Sequence, residues 1–598
     1  MTTVAVCLGL MLVVPFVLPF NTLPVITFYQ EWAAFALGCA LLLAVVWQLR
    51  TDSIAVPRTV FLPAGICLLL LVQALMGSLG YWQVGATGAI YLVWSLAMLC
   101  AGAMLRQSLG RDSFCALAAA ALLVGALLSA VAGLLQLAQL QLGGLIMPMT
   151  MPRVHANLAQ SNHFANYVCL GLFSLCFLAA GRKLNVIIAV TAAALMLLAA
   201  DLSASRSVWV YLLTATALAL WTHYQARSEQ SRALVYWLGG VLVGMVIVSA
   251  LTTALWEHAP LFADSMQRHG TGTERLLADS SAVSHRQSIW LVAWQMFQSN
   301  PLTGAGYGAF AWEYFLALGR LPAGLPEEIV DHAHNVVLQM LAEFGLAGGL
   351  LLVAAAVAWC WSAVRHEATT ERWWMLTMVS VIVLHGLVEY PLWYAHFLGL
   401  FALLVGAGDH VQYRLKPAFA SPTVLVGAGA VMLWLLSSVY LDYRLVERLG
   451  VESARVGDNR KAIVAAAEAA PTSLFGNFVE LGLSRTIALN RDALDAKLEL
   501  NGRVLRSFPA PDVAFRQSAL HAMQGDVESA EGMWDLAASA YPGHSAAVLD
   551  GLAGQLAMGE VALKPLVEYA ASRNGASRGD TSRNRTSRNG TSRNDKEQ

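Results

Sequence analysis

Long apolar runs separated by short polar segments fill the chain from its start to about residue 442. A helix that crosses the hydrocarbon core of a bilayer needs roughly 17 to 25 apolar residues, and runs of that length predict about thirteen spans. Their centres lie near Leu12, Ala40, Leu69, Val93, Gly125, Leu172, Thr191, Thr214, Val243, Leu352, Ser380, Ala402 and Met432. The first run, residues 4–20, has neither a basic start nor a small-residue cleavage site, so it is predicted to be a span rather than a signal peptide.

The composition agrees with a membrane protein and excludes an ordinary soluble enzyme. Of the 598 residues, 57% are hydrophobic and 13% are charged, and the mean hydropathy is +0.58. Such values arise when long uncharged segments cross a bilayer. The eight cysteines all lie in apolar runs without paired spacing, which indicates buried apolar side chains rather than disulfides or metal ligands. The sequence contains no basic stripe, so a nucleic-acid partner is not expected.

Basic residues recur in alternate loops between the predicted spans. They are Arg50 and Arg58, Arg106 and Arg111, Arg182 and Lys183, Arg227 and Arg232, Arg365 and Arg372, and Arg414 and Lys416. Because short loops rich in lysine and arginine stay in the cytoplasm, the amino terminus is predicted to be cytoplasmic. The other loops, among them residues 257–333, and everything after Tyr443 are predicted to lie on the outer side.

Arginines also occur on the predicted outer side, where membrane orientation gives no reason for them, and four of them stand out. They are Arg153, Arg206, Arg286 and Arg320. A guanidinium group suits planar, two-point recognition of phosphate or carboxylate. The alternative is that these arginines contact lipid headgroups or form ion pairs with the acids of the same region, Glu257, Asp264, Glu274 and Glu328.

The composition changes after residue 442 to alanine-rich, charged and cysteine-free sequence. Asp458, Asp492 and Asp526 are spaced by 34 residues, which is the period of the tetratricopeptide repeat (TPR). We therefore predict a membrane domain at residues 1–442, with its long outer loop at 257–333, and a helical TPR-like outer domain at 443–571. Residues 572–598 repeat a five-residue polar unit and are predicted to be a disordered tail.

Polar residues of catalytic type gather on the predicted outer side in four places. These are NLAQSNH at 157–163, SASR at 203–206, HRQSIWLVAWQMF from 285 with NPLTGAGYGAF from 300, and DHAHN at 331–335 with HGLVEYPLWY at 385–394. The GAGYG run is not interpreted as a nucleotide loop, because it follows a helical pattern and lacks the Lys-Ser/Thr of a P-loop. The types that converge are arginine for phosphate, histidine for proton transfer, and amides and tyrosine for orientation.

The two histidines of DHAHN have three interpretations. Residues two apart share a face only in an extended segment, and no partner cluster is evident, which argues against a metal site. A polar residue at the depth of the lipid headgroups is a second interpretation for His332 and His334. The third is catalysis, since a neutral imidazole accepts a proton near neutral pH.

These motifs, in this order, resemble those of PglL-type bacterial protein O-oligosaccharyltransferases, relatives of the O-antigen ligases and Wzy polymerases. The resemblance runs from about Asn157 to Tyr394, and the carboxyl-terminal part resembles that of virulence-factor membrane-bound polymerases. One departure is Ala156 before Asn157, where glycine is expected. The family implies an all-α polytopic fold of GT-C-like ligase architecture in the bacterial inner membrane, with its active site and carboxyl-terminal domain in the periplasm.

The resemblance also implies the reaction and its residues. A glycan on undecaprenyl pyrophosphate is transferred to a hydroxyl of a pilin-like periplasmic protein, with neither a cofactor nor a metal expected. His334 is the expected base, because its His-Asn context matches the family motif and it is close to a span. The other expected site residues are Gln160 and Tyr390 in catalysis, Arg206 and Arg286 on the donor phosphates, and Asn162, His163, His332, Asn335 and Glu389 in support.

Two other functions remain open at this point. An O-antigen ligase or polymerase would differ only in its acceptor, which would be lipid A-core or another glycan. A transporter or flippase would also place polar residues at spans. Against transport, the charged groups gather on one side rather than in mid-span, and no inverted repeat is visible in the sequence.

Overall fold

The computed structural model describes residues 2–49, 53–149, 153–258, 281–321, 329–416, 421–455 and 460–573. Nine helices occupy the described residues up to 258. They are α1 (Thr2–Val17), α2 (Phe28–Gln48), α3 (Phe61–Leu75), α4 (Trp82–Leu109), α5 (Arg111–Leu137), α6 (Ser161–Ala180), α7 (Val186–Leu202), α8 (Ser207–Ala226) and α9 (Glu229–His258). Each of the first nine predicted span centres falls within one of them.

Six further helices complete the predicted membrane domain and its outer loop. They are α10 (Ser281–Ser299), α11 (Phe310–Leu318), α12 (Val336–Val364), α13 (Thr370–Gly386), α14 (Ala395–Gly408) and α15 (Pro422–Arg455). The last four contain the remaining predicted span centres. Within the described ranges, eight helices are long and apolar enough to cross a membrane, and α1, α7 and α14 are shorter apolar helices. The chain is therefore a multi-pass membrane protein, and the total of thirteen spans stays a prediction.

The helix α6 lies at the centre of the bundle and begins inside the motif NLAQSNH. All its residues except Asn162 are buried. It packs against α5, α7, α8, α9 and α13. Its polar groups are paired within the core: the Tyr167 hydroxyl donates to the Leu12 carbonyl at 2.7 Å, and Ser174 accepts from the Trp374 indole at 3.1 Å. A motif at the start of this helix is thus held by the best-packed element of the bundle.

A short two-stranded sheet departs from the predicted all-α fold. Strands β1 (Ile54–Pro57) and β2 (Gln412–Leu415) pair antiparallel, with Ile54 opposite Leu415. Both strands lie in loops that the arginine and lysine pattern assigns to the cytoplasm. The sequence does not reveal this pairing in advance, because β1 is a four-residue apolar run and β2 alternates polar and apolar residues over only four positions.

The two sets of loops lie at opposite ends of the bundle. At the end that carries the sheet, Arg106 contacts the His410 ring at 3.0 Å. At the other end, Tyr81 before α4 donates to Glu480 at 2.6 Å, and Gln83 donates to the Ala470 carbonyl at 3.3 Å. This separation agrees with the loop alternation, whereas which end faces the cytoplasm stays a prediction.

Reporter fusions test that orientation directly. Fusions after Arg111, Arg232 and Arg372 are expected to report a cytoplasmic position, because these residues flank basic loops. Fusions near Gly272 and Ser507 are expected to report a periplasmic position. The measurement is the activity of a reporter that works in only one compartment. A cytoplasmic signal at Ser507 would show that the number of spans is wrong by one.

The carboxyl-terminal part is helical up to residue 573. It contains α16 (Arg460–Ala469), α17 (Gly476–Thr486), α18 (Leu494–Ser507), α19 (Pro511–Gln524), α20 (Val527–Ala540) and α21 (Pro542–Ala557). From α17 to α21, each helix packs against the next, and the Asp526 side chain caps α20 by accepting from the Ser529 amide at 3.1 Å. The predicted tail 572–598 begins two residues too early, because residues 572 and 573 are helical and Arg573 forms an ion pair with Asp535. Asp458 and residues 574–598 lie outside the described residues, and the TPR assignment stays a prediction.

The predicted boundary at residue 442 falls inside α15, so the last membrane helix continues into the carboxyl-terminal part.

Four 3-10 turns occur in the membrane domain and one in the carboxyl-terminal part within the described ranges. They are Arg58–Val60, Leu142–Gly144, Ala156–Leu158, Pro391–Trp393 and Val561–Leu563.

Candidate active site

The side chain of Glu389 joins three of the four predicted constellations. It lies between the end of α13 and the 3-10 turn Pro391–Trp393, and it is only 4% exposed. Its four polar partners are the Gln160 amide at 3.0 Å, the Asn162 amide at 2.7 Å, the Arg286 guanidinium at 2.7 Å and the His334 Nδ1 atom at 3.1 Å. We call these five residues the Glu389 cluster.

The amides of the cluster are oriented by the start of α6. Gln160 is the N-cap residue of this helix, and its side-chain oxygen accepts from the His163 amide at 3.2 Å. Because the oxygen is occupied in this way, the Gln160 NH₂ group points to Glu389. Asn162, the one residue of α6 that is not buried, donates to the other carboxylate oxygen.

His334 is held from both sides along the chain. Ala333 is fully buried in a small apolar cluster with α10 and α11, and Asn335 caps α12 by accepting from the Val337 and Leu338 amides at 3.0 and 3.2 Å. His334 itself has a φ of +48°, in the left-handed region that L-residues seldom adopt. Such backbone strain is found mainly where the surrounding structure fixes a functional residue.

The contact with Glu389 defines the roles of the His334 ring nitrogens. A carboxylate can only accept, so Nδ1 carries the hydrogen, and Nε2 presents its lone pair on the other side of the ring. The His334 side chain is 26% exposed, which leaves it accessible to a substrate. This is the arrangement of a general base whose tautomer is set by a buried acid.

Glu389 stays ionised in this environment. Burial by itself raises the pKa of a carboxyl group, but here the hydrogen bond from His334 and the charge of Arg286 outweigh it. The pKa of Glu389 is therefore held below its usual range. The cluster keeps a full negative charge on the acid that orients His334.

Tyr390 separates the two histidines of DHAHN. Its ring stacks on His332 with centroids 4.7 Å apart and meets His334 edge to face at 4.9 Å. His332 is turned away toward Asp331, at 2.7 Å. Burial lowers the pKa of the His332 imidazole, but the Asp331 carboxylate outweighs it and raises that pKa above its ordinary value. His332 is thus committed to an ion pair, whereas His334 has a free face.

His163 is not one of the five residues of the Glu389 cluster. Its ring is buried and packs edge to face against His385 at 5.1 Å. The Nδ1 atom of His385 is 2.9 Å from the Tyr211 hydroxyl. Asn335 likewise serves the backbone as a helix cap. The structure therefore places His163 and Asn335 in supporting positions.

The four arginines singled out on the predicted outer side have different surroundings. Arg286 forms an ion pair with Glu389, an acid outside the four that the sequence suggested as alternative partners. The structure does not describe the side chains of those four acids, which are Glu257, Asp264, Glu274 and Glu328. Arg206 follows a tight turn in which Ala204 has a φ of +50°, and it forms no ion pair within the described part of the chain. Arg320 is exposed at the end of α11.

Arg153 is the one of these four arginines that precedes the motif NLAQSNH, and the family resemblance does not include it among the expected site residues. The neighbouring Val154 amide donates to the Leu202 carbonyl at 3.4 Å, which brings this segment beside the SASR turn. Burial lowers the pKa of the Arg153 guanidinium, the charge of Glu389 opposes this effect, and the charge of Arg286 adds to it. The signal that identified Arg206, an arginine on the side where orientation does not need one, also fits Arg153.

The glycines of NPLTGAGYG have a packing role. A Cβ atom on Gly304 would lie 2.2 Å from the Glu343 carbonyl carbon, and one on Gly345 would lie 2.5 Å from the backbone of Leu302. This close approach lets the Ala305 amide donate to the Ala342 carbonyl at 2.9 Å, where α12 is broken at Gly345. The loop therefore fixes the start of α12, the helix that follows His334.

Two further features of the site bear on the expected family pattern. Ala156, where glycine is expected, has a φ of +49°, a conformation that glycine adopts without strain. Within the described ranges, no group of three or more His, Cys, Asp or Glu side chains is placed to hold a metal ion.

Two family profiles match separate parts of the chain. The profile described as O-Antigen ligase matches residues 191–353, and the profile described as Virulence factor membrane-bound polymerase, C-terminal, matches residues 373–550. His334 lies in the first region, and Glu389 and Tyr390 lie in the second. The site is thus assembled from both matched regions and from the earlier motif NLAQSNH.

Two O-oligosaccharyltransferases are similar to this chain. The General O-oligosaccharyltransferase of Acinetobacter baylyi is 28% identical over 458 residues, which cover 74% of this chain and 76% of that protein. The ComP-specific O-oligosaccharyltransferase of the same organism is 23% identical over 252 residues, which cover 41% of this chain and 42% of that protein. The predicted resemblance to O-oligosaccharyltransferases and O-antigen ligases is confirmed.

Proposed function

We propose that this chain is an oligosaccharyltransferase that moves a glycan from undecaprenyl pyrophosphate to serine or threonine hydroxyls of a periplasmic protein such as a pilin. The two similar proteins are O-oligosaccharyltransferases, and one is named as specific for ComP. The observation that carries the proposal is the Glu389 cluster. It gathers an oriented histidine and an arginine at a partly open site on a membrane bundle.

In the proposed reaction, the hydroxyl oxygen of the acceptor attacks the anomeric carbon of the glycan. The proton of the hydroxyl passes to Nε2 of His334. The bond from the anomeric carbon to the pyrophosphate oxygen breaks, and the undecaprenyl pyrophosphate leaves with the electron pair. Glu389 stabilises the imidazolium that forms, because its negative charge is 3.1 Å from Nδ1.

The leaving group gains negative charge, and in this proposal Arg206 and Arg286 balance it. Arg286 spends part of its guanidinium on Glu389 but has five N–H donors, so others remain for a phosphate oxygen. Arg206 contributes a guanidinium with no ion pair among the described residues. Charge that develops in the transition state is stabilised most by donors already in place, which is the role we assign to these arginines.

The direct test is the mass of the acceptor protein. A pilin-like acceptor is purified from cells that contain a lipid-linked glycan, with and without this chain, and its intact mass is measured. A mass increase equal to the glycan only in the presence of the chain is expected. If the acceptor stays unmodified while lipid A-core gains the glycan, the chain is an O-antigen ligase, the alternative favoured by the match over residues 191–353.

Lysine substitutions test the role of the arginines. Arg206→Lys and Arg286→Lys keep a positive charge but lose the planar two-point contact. Loss of one charge-assisted hydrogen bond costs about 1.5 to 3 kcal/mol, so we expect transfer to fall by roughly 10-fold to 100-fold in each variant. The measurement is the initial rate of transfer by the purified protein in lipid.

Arg320→Lys is the matched control, because Arg320 is exposed and is not among the four polar partners of Glu389. It is expected to retain the rate of the unmodified protein. Full activity of Arg206→Lys or Arg286→Lys would remove that arginine from the phosphate site. Arg286 would then be assigned only to its ion pair with Glu389.

A further inference from the structure

A buried acid in the second helix contacts the segment that carries Glu389 and Tyr390. Glu31 lies in the first turn of α2 and is 7% exposed. An ionisable side chain within a membrane span costs free energy, and such residues almost always pair with another group and have a functional role. Sequence reasoning missed this residue, although it is the single acid in the run FYQEWAAFALGC.

The carboxylate of Glu31 binds the start of α14. One of its oxygens accepts from the backbone amide of Ala395, the first residue of that helix, and from the Tyr91 hydroxyl at 3.0 Å. The first amides of a helix have no partner within the helix, so an acceptor from elsewhere must satisfy them when they are buried. The other oxygen is 3.9 Å from Nδ1 of His396.

The carbonyl of the same residue is held from another helix. The Trp94 indole of α4 donates to the Ala395 oxygen at 3.0 Å. Trp94 is buried, and its ring packs closely against Gly38 and Gly399. Both polar groups of the Ala395 backbone are therefore fixed by side chains of the membrane bundle.

Ala395 ends the segment 387–395, whose other end is fixed by α13. At that end, the Glu389 amide donates to the His385 carbonyl at 2.8 Å. Between the two ends, Tyr390 stacks on Tyr394 with centroids 5.8 Å apart, and Tyr394 meets His163 at 4.9 Å. The position of the segment thus depends on its contacts at both ends.

We infer that Glu31 is a positioning residue of the active site: its carboxylate fixes Ala395 and thereby the segment that presents Glu389 to His334. The polar contacts of Glu31 within the described residues are with Ala395, Tyr91 and His396, and none is with His334. Its effect on transfer rests on the proposed function. Its effect on the segment 387–395 does not, and the two are measured separately.

The test compares two variants of Glu31 by transfer kinetics and by hydrogen–deuterium exchange of the segment 387–396. Glu31→Leu removes the acceptor, and we expect kcat to fall by about 10-fold to 100-fold, as for other residues that orient a catalytic group, with KM for donor and acceptor nearly unchanged. Exchange in the segment is expected to accelerate. Glu31→Gln keeps a carbonyl acceptor for Ala395 and Tyr91, so both readouts should stay within about threefold of the unmodified protein.

Gln30→Leu is the matched control, since Gln30 is buried in the same turn but donates to the Leu18 carbonyl at 3.2 Å, away from the segment. It should leave exchange in 387–396 unchanged. If Glu31→Leu does not insert, Tyr91→Phe replaces it, because it removes the hydrogen bond that anchors the carboxylate. A smaller acceleration in the same segment is expected.

The inference is overturned if Glu31→Leu changes neither the exchange nor the transfer. Where Tyr91→Phe replaces that variant, unchanged exchange in Tyr91→Phe overturns it. Equal loss of transfer in the Leu and Gln variants with normal exchange also overturns it, because the charge would then matter rather than the position. If the unmodified protein transfers no glycan, the proposed function fails. The exchange data then still decide whether Glu31 holds the segment.

Discussion

Replacement of His334 by asparagine is expected to lower the rate of glycan transfer by about 10²-fold to 10⁴-fold, the usual cost of removing a positioned acid–base group. This corresponds to roughly 3 to 5 kcal/mol of lost transition-state stabilisation. A serine or threonine hydroxyl is a weak nucleophile until its proton is accepted, and Nε2 of His334 is the acceptor that Glu389 orients. The rate is measured with purified protein in lipid.

Asparagine separates the loss of chemistry from a loss of folding better than alanine does. The His334 backbone has a φ of +48°, and asparagine, like histidine, enters this region more readily than most residues. His334→Ala is expected to lose as much activity but also to strain the turn before α12. Normal insertion of His334→Asn with almost no transfer is therefore the informative result.

His332→Ala is the control for that experiment, because His332 is one residue from the same buried alanine but pairs with Asp331. We expect a milder loss than for His334, through weaker packing of Tyr390. Transfer near that of the unmodified protein by His334→Asn would leave this histidine as a polar residue at the depth of the headgroups. The base would then have to be sought elsewhere.

Much of the fold was predictable because the bilayer imposes a simple rule on sequence. A span needs an apolar run, and every predicted centre falls within a helix, from Leu12 in α1 to Met432 in α15. The pairing of β1 with β2 was not predictable, since it depends on two loops far apart in the chain meeting at one end of the bundle. The continuity of α15 through residue 442 was missed because a change in composition does not require a break in a helix.

The components of the site were predictable, but their arrangement was not. The types and order of the residues, with the family resemblance that they carry, pointed to Gln160, Arg286, His334 and Glu389 as candidate site residues, and these side chains meet in the structure. Their convergence on Glu389 follows from the packing of α6, α10, α12 and α13, which no local pattern encodes. Glu31 shows the same limit, because its partner Ala395 is an ordinary alanine in the sequence and matters only through its backbone amide.

Replacement of Glu389 by glutamine is expected to lower transfer by about 10²-fold or more, as happens when the acid that orients a catalytic histidine is made neutral. Four donors point to the two carboxylate oxygens, from Gln160, Asn162, Arg286 and His334. Glutamine offers one oxygen and one NH₂ group, so at least one donor faces another donor. Arg286 also loses its counter-charge, and His334 loses the partner that fixes its tautomer.

Glu343→Gln is a matched control for this substitution. Glu343 is also buried, but its carboxylate accepts from the Gly308 amide at 2.9 Å and serves the loop beside α12. A glutamine carbonyl can accept that bond, so transfer should stay within a few-fold of the unmodified protein. A loss in Glu343→Gln as large as in Glu389→Gln would mean that any neutralised buried acid disturbs the bundle.

The double variant Glu389→Gln with His334→Asn decides whether the two residues act as one unit. If Glu389 works by orienting and stabilising His334, its substitution has little further effect once the imidazole is gone, because residues that act as a unit are strongly non-additive. The expected rate of the double variant is therefore close to that of His334→Asn alone. A rate lower by the full product of the two single losses would show that Glu389 acts independently, through Arg286 and the donor phosphates.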